Sequence, residues 1–390
     1  MNNNQTIIKN VNLILPDQVL TDGWLIIESG KIANFGTGSL PVAEGDSAAI
    51  IDGQGQYVLA GFIDIHVHGG ASYDFMNAGA EELDGITSFH MKHGTTAMLA
   101  TTVTGSQEQL SAVLKSVASY RQQASMPYTQ LVGVHLEGPF VNPKWKGAQN
   151  EAYMVEPQPT WLEQWQVQYP GLIKMQTLAP EINGAYDYIE LLSKHGIVAA
   201  CGHTDSTFDQ ISGAVKHGLR HAVHTYNAMK GLHHREPGTL GAVMLHDEIT
   251  AELIADGIHV HAAAAKILHK MKGSDRLVLV TDAMSAAGMP DGDYELGGLP
   301  VVVEQGVARL KQDGSLAGST LTMIEGYRFL VEQVGVSLSE ASRIASLNPA
   351  TVLGLQEQYG SIAVGKRADL LLMDENFKLS QVFISGEAKL

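Results

Sequence analysis

Gly61-Phe62-Ile63-Asp64-Ile65-His66-Val67-His68-Gly69-Gly70 is an apolar run that closes on two histidines and a glycine pair. Side chains alternate along an extended chain, so His66 and His68 point to the same side. This run is the first of eight. Apolar or β-rich stretches recur at 62–68, 95–101, 131–137, 172–178, 197–203, 221–225, 250–255 and 277–282. Connections of helical composition, such as 106–123 and 186–195, separate them. Eight strands, each followed by a crossover, fit an α/β fold of the (β/α)8 TIM-like barrel kind better than an open sheet. Outside this region the texture changes. Short strands at 6–11, 24–28, 31–35 and 57–59, and again at 369–373 and 381–385, are punctuated by Gly-containing turns. One small sheet assembled from both termini accounts for both ends. The expected division is 1–60 plus 350–390 for the β domain and 61–349 for the barrel.

Composition sets limits on what the barrel does. The 390 residues carry 25 Lys+Arg against 41 Asp+Glu, a net charge of −16. An acidic surface disfavours polyanion and anionic-membrane binding, so neither a nucleic-acid nor a membrane partner is expected. No stretch of 18 apolar residues occurs, and Met1-Asn2-Asn3-Asn4-Gln5 lacks the basic and apolar regions of a leader. One cysteine, Cys201, excludes an intramolecular disulfide and a thiolate metal cage. These features together predict a cytoplasmic protein. No Walker or dinucleotide glycine motif is present, which argues against a nucleotide cofactor. The 16 histidines point instead to imidazole chemistry.

The C-terminal ends of the expected strands concentrate that chemistry. His66 and His68 end the first run and Glu137 the third. His203 ends the fifth, His224 the sixth and Asp282 the eighth. A lone Asp after a strand is usually a helix cap, and a lone His usually packs or faces solvent. Five such tips on one barrel rim form a donor set of nitrogen and oxygen, suited to Zn, Fe, Mn or Co. Glu137, His203 and His224 can hold one divalent ion and leave a position open to water. His66 and His68 offer a second position, with Glu137 as bridge. Asp282 is placed to take and return a proton, or to act as a further ligand. Asp64 shares the parity of His66 and His68 and is expected to support a ligand histidine. The threonines at 101–104 and His221 read as strand and structural residues.

The motifs His66-x-His68, Glu137-Gly138-Pro139-Phe140, Gly202-His203-Thr204-Asp205, His224-Thr225-Tyr226-Asn227-Ala228-Met229, Asp256-Gly257-Ile258-His259 and Val280-Thr281-Asp282-Ala283 resemble the amidohydrolase superfamily. With Arg235-Glu236-Pro237-Gly238 they are most similar to its N-acetylglucosamine-6-phosphate deacetylase family. The resemblance runs from Gly61 to Asp369. It implies a barrel with a β-sandwich domain from both termini, and metal-dependent removal of an N-acetyl group from an amino-sugar phosphate. It further implies Glu137, His203 and His224 as principal ligands and Asp282 as acid/base. Substrate contacts are implied for Ala148, Gln149, Asn227, Ala228, Arg235, Asp256, Gly257, Ile258, His259, Leu316, Ala317 and Gly318. Arg235 and His259 are expected at the phosphate, across the interface of a homodimer. Some members lack the first His of His-x-His and use one metal; this chain keeps both, which leaves room for one or two ions per subunit. Some members carry a His where this chain has Gln149, which donates a hydrogen bond but carries no proton charge. Two other readings compete. One is an amidohydrolase acting on a cyclic or different N-acyl amide, a group that often uses a carboxylated Lys; Lys174, inside the fourth run, is the nearest case and reads as structural. The other is a non-catalytic scaffold.

Overall fold

The computed structural model describes residues 5–40, 48–123 and 126–390; the polar start at 1–4 lies outside them. All eight expected barrel strands are present. They are β1 (Phe62–Asp64), β2 (Thr95–Thr102), β3 (Gln130–Glu137), β4 (Ile173–Leu178), β5 (Val198–Cys201), β6 (Leu219–Ala222), β7 (Thr250–Ile254) and β8 (Leu277–Val280). Each pairs in parallel with its neighbours, in chain order from β1 to β8. The ring closes just past the strand ends, where Asp282 N donates to His66 O at 2.8 Å and His68 N to Ala283 O at 2.8 Å.

Both faces of these strands are covered, so they read as continuous apolar runs. All eight residues of β2 are buried. Its Ala97 and Leu99 join Ile63, Met175, Ala200, Ile254 and Val278 in the cluster that fills the barrel. Its Met98 and Ala100 face the outer cluster, with Phe62, Leu131, Leu253 and Leu279. A helix follows each strand, beginning with Ala80–Lys92 after β1 and ending with Met323–Phe329 after β8. Local signals place these helices. Ser106 accepts from Gln109 N to start Gln107–Arg121, and Thr207 accepts from Gln210 N to start Phe208–His217. Among the described residues no helix is long and apolar enough to cross a membrane.

The two ends of the chain form one eight-stranded sheet. Its first strand, Gln5–Ile14, pairs antiparallel with Val19–Glu28 and parallel with both Ala49–Asp52 and Tyr57–Ala60. The C-terminal strands Leu370–Met373, Leu379–Ile384 and Glu387–Ala388 extend it on the Tyr57–Ala60 side, and Lys31–Thr37 borders Val19–Glu28. Ala49–Asp52 was not among the expected strands. It is an exposed edge of four residues, too short to show an alternating pattern. The sheet passes directly into the barrel at Gly61, where a Cβ would sit 2.2 Å from Thr96 Oγ1.

A three-stranded antiparallel sheet, Gly292–Leu296, Leu299–Glu304 and Val307–Leu310, follows β8 and was also unforeseen. Two-residue turns at Gly297-Gly298 and Gln305-Gly306, with positive φ at all four positions, join its strands. Its Leu296, Val301 and Val303 pack on Val103 and Met284, which fixes the sheet beside the barrel mouth.

Candidate metal centre

Glu137, the last residue of β3, lies at the centre of four imidazoles. Its Oε1 is 3.1 Å from His203 Nε2, 3.0 Å from His224 Nε2 and 3.3 Å from His66 Nε2. Its Oε2 is 3.4 Å from His68 Nε2. Asp282 Oδ1 lies 3.1 Å from His68 Nε2 and 3.7 Å from His66 Nε2. Two groups, His66/Glu137/His224 and His66/His68/Asp282, bring their donor atoms within 4.8 Å of one another. All six residues expected at the strand tips therefore meet at one place.

Three of the four rings, His66, His203 and His224, are held so that a neutral ring presents its Nε2 lone pair. His203 Nδ1 donates to Trp145 O at 2.9 Å, and His224 Nδ1 to Asn227 O at 3.2 Å. His66 Nδ1 donates to Glu252 Oε2 at 2.8 Å. In each case the partner only accepts, so the ring proton is committed to Nδ1. His203 Nε2 and His224 Nε2 then face each other at 3.1 Å. Two bare lone pairs at that separation repel, and a cation against both removes the conflict. A donor set of imidazole and carboxylate without sulfur fits a divalent ion of the Zn, Fe, Mn or Co kind.

The backbone is strained where it delivers these groups. His203, His224 and Asp282 have φ of 48°, 28° and 51°. Left-handed conformations cost non-glycine residues about 1–2 kcal/mol each and cluster at functional sites. The strands β5, β6 and β8 end before these three residues, so their side chains come from the turns just above the strands. The His66–His68 segment lies past β1. It is held by Thr101, whose N–H donates to Val67 O at 3.0 Å and whose Oγ1 accepts from Val67 N at 3.0 Å.

Electrostatics point the same way. Burial penalises charge on His66, yet Glu252, Glu137 and Asp282 raise its pKa well above the ordinary value. His68, likewise buried, is pushed up to about 9 by Asp282 and Glu137. Burial opposes charge on Glu137 too, but His66, His203 and His224 hold its carboxyl well below the usual range. Asp282 is lowered despite burial by His66 and His68. A field that favours protons on clustered imidazoles also favours a divalent cation in their place.

A cavity of about 390 Å³ opens above the cluster. His68, Glu137, His203, His224 and Asp282 line it, together with Ala148, Gln149, Asn227, Ala228, His259, Leu316 and Gly318 from the expected substrate contacts. Asp256 and Ile258 line a neighbouring cavity of about 360 Å³ that shares His259 and Gly318. Gly257 and Ala317 line neither. Arg235 is exposed, in contact with His234 Nε2 at 2.8 Å, and lines neither cavity.

The amidohydrolase family model matches residues 57–389. The chain belongs to the amidohydrolase family. Among curated relatives, it is 40% identical to the N-acetylglucosamine-6-phosphate deacetylase of Bacillus subtilis (strain 168), over 98% of each chain. It is 37% identical to the N-acetylgalactosamine-6-phosphate deacetylase of Escherichia coli O157:H7, over 94% of this chain and 96% of that one. Among solved structures it resembles a mutant of the Mycobacterium smegmatis N-acetyl-D-glucosamine-6-phosphate deacetylase in complex with N-acetyl-D-glucosamine-6-phosphate. That match has a TM-score of 0.92 at 33% identity and covers 100% of this chain and 99% of that one.

Several residues that complete this amidohydrolase site were not identified in the sequence. Glu252, fully buried in β7, accepts from His66 Nδ1, His221 Nε2 and the backbone N–H of His224, at 2.8, 2.9 and 3.0 Å. Asp64 was expected to support a ligand histidine, and it does so through the backbone of His66 rather than its ring. It accepts from His66 N at 3.2 Å and Thr281 Oγ1 at 2.5 Å, while Glu252 holds the ring. Lys144, Trp145, Leu296 and Ser315 also line the cavity. Trp145 Nε1 and Lys144 Nζ both reach Asp205, at 2.8 and 2.9 Å, which fixes the loop whose carbonyl holds His203.

Proposed function

We propose that this amidohydrolase removes the acetyl group of N-acetylglucosamine 6-phosphate, releasing acetate and glucosamine 6-phosphate, a step of amino-sugar breakdown. The observation that carries the proposal is the convergence of Glu137, His203, His224, His68 and Asp282 on the floor of a sugar-sized cavity, with His66 buried beneath them. Relatives named for this reaction match almost the whole chain.

Glu137, His203 and His224 would hold the principal divalent ion, and His66 and His68 a second. Such an ion, when bound, polarises an oxygen and brings the pKa of water to about 7. Asp282 does the proton work. Its carboxyl is ionised at neutral pH and borders the cavity, so it can take a proton from water and deliver it to the departing amine. Asn227, Ala228, Leu316 and Gly318 shape the wall against the sugar, with Ala148 and Gln149 on the Glu137 side.

His259 is oriented for the phosphate. Asp256 Oδ2 accepts from its Nδ1 at 2.6 Å, while its Nε2 is buried and has no partner among the described residues. Arg235 is too exposed to serve the cavity of its own subunit and is proposed to reach the phosphate of a second copy, which makes the enzyme a homodimer. Asp256 orients His259, and Asp256, Gly257, Ile258 and Ala317 are proposed as further substrate contacts beside it. We assign 1–60 plus 350–390 to the domain built on the terminal sheet and 61–349 to the barrel. A cytoplasmic location agrees with a single, buried thiol, Cys201.

The test is acetate release from N-acetylglucosamine 6-phosphate, its unphosphorylated form and the 6-phosphate of N-acetylgalactosamine. Expected is a kcat/KM about a hundredfold higher for the phosphorylated glucosamine derivative than for the free sugar, the scale of two charge-assisted contacts. Equal rates with and without phosphate would remove the phosphate pocket, and faster turnover of the galacto epimer would reassign the hexosamine.

A further inference from the structure

Gln149 sits against the carboxylate of Glu137, with 5% of its surface exposed. Its Oε1 accepts the backbone N–H of Thr104 at 2.6 Å. A backbone N–H only donates, so this contact decides which end of the amide is oxygen. The other end, Nε2, donates to Glu137 Oε2 at 2.5 Å. The two oxygens of Glu137 are therefore unequal. Oε1 faces His203, His224 and His66, with no amide against it. Oε2 faces His68 but already accepts a short hydrogen bond. The amide cannot turn away without leaving the Thr104 N–H unpaired in a buried place.

We infer that Gln149 is a positioning residue that ranks the two cation positions. It leaves Glu137 Oε1 to the ion held with His203 and His224, and competes for Oε2 with an ion held by His66 and His68. The inference rests on the metal-dependent reading of the site. It makes the second ion the weaker one although both histidines of His66-x-His68 are present. Full occupancy of the second position then requires the Gln149–Glu137 hydrogen bond to yield.

Titration of metal-free protein with Co(II) and with Zn(II) tests this, read by calorimetry and by the Co(II) visible bands. Metal content after gel filtration gives the stoichiometry. The wild type is expected to bind one ion at least about tenfold more tightly than a second. Gln149→Met and Gln149→Ala remove the donor; both should tighten the second ion about tenfold and leave the first within about threefold. Thermal melts confirm that the variants are folded. Two equally tight ions in the wild type overturn the inference, and that measurement needs no variant. Equal weakening of both ions in the variants also overturns it, because it marks a purely structural role. A wild type that binds neither ion overturns the metal reading itself, and this inference with it.

Discussion

Four of the six candidate ligands, His66, His203, His224 and Glu137, are set by a neighbour outside the cluster that fixes one atom of the ring or carboxylate. Glu252 has the widest reach, since it touches His66, His221 and the backbone of His224. Replacing Glu252 with Gln leaves the volume but turns one accepting oxygen into a donor. Metal affinity is expected to fall about 10–100-fold, measured by competition with a chelating dye. Unchanged affinity would show that the rings hold their orientation without it. Asp282→Asn keeps the shape and removes the base, so turnover should fall by about 10²–10⁴-fold while the principal ion stays bound. Near-normal turnover would end the acid/base assignment. The six strand-tip residues were legible because each follows an apolar run and five such tips recur around one rim, where any single tip would read as a cap or a packed residue. Glu252 was not. Inside Thr250-Ala251-Glu252-Leu253-Ile254 an acid reads as the solvent side of a strand, and only barrel closure places it between His66 and His221.

Among the elements, the helix Ala80–Lys92 supports the loop that carries His68. Its His90 is buried, and Nε2 donates to Gly69 O at 2.9 Å. Burial pushes this imidazole down to about 4. The unfolded chain takes up that proton near pH 6.5 and the folded chain only near 4, so the unfolded state binds more protons in between. Stability should therefore rise with pH from about 4 to 6.5 and be complete above that. His90→Gln should flatten this dependence, as followed by denaturant midpoints between about pH 4 and 7. An unchanged slope would assign the acid sensitivity elsewhere. Element boundaries explain where the sequence reading overran. The runs ending at 137 and 178 stop with their strands, whereas those ending at 68, 203, 225 and 282 include turn residues that curl over the mouth. The sheet from Gly292 to Leu310 was missed although its turns carry a hairpin signature, because its docking partners Val103 and Met284 lie on other parts of the chain.

At the scale of the molecule, barrel and terminal sheet divide the work of chemistry and stability. Phe383 is buried in the terminal sheet with Leu25, Ile27 and Leu370. Phe383→Ala should cost about 3–4 kcal/mol in denaturant unfolding and leave kcat nearly unchanged. A large loss of kcat would tie the sheet to the active site. Arg235→Ala should raise KM for the phosphorylated sugar about tenfold or more and leave the unphosphorylated one unaffected. Equal effects on both would deny Arg235 the phosphate. Metal-dependent amide hydrolysis is tested most directly by acetate release from N-acetylglucosamine 6-phosphate before chelation, after it, and after re-addition of Zn(II), Fe(II), Mn(II) or Co(II). Expected is loss of activity on chelation and recovery that saturates at one to two ions per chain. Undiminished acetate release from protein stripped of metal would contradict it.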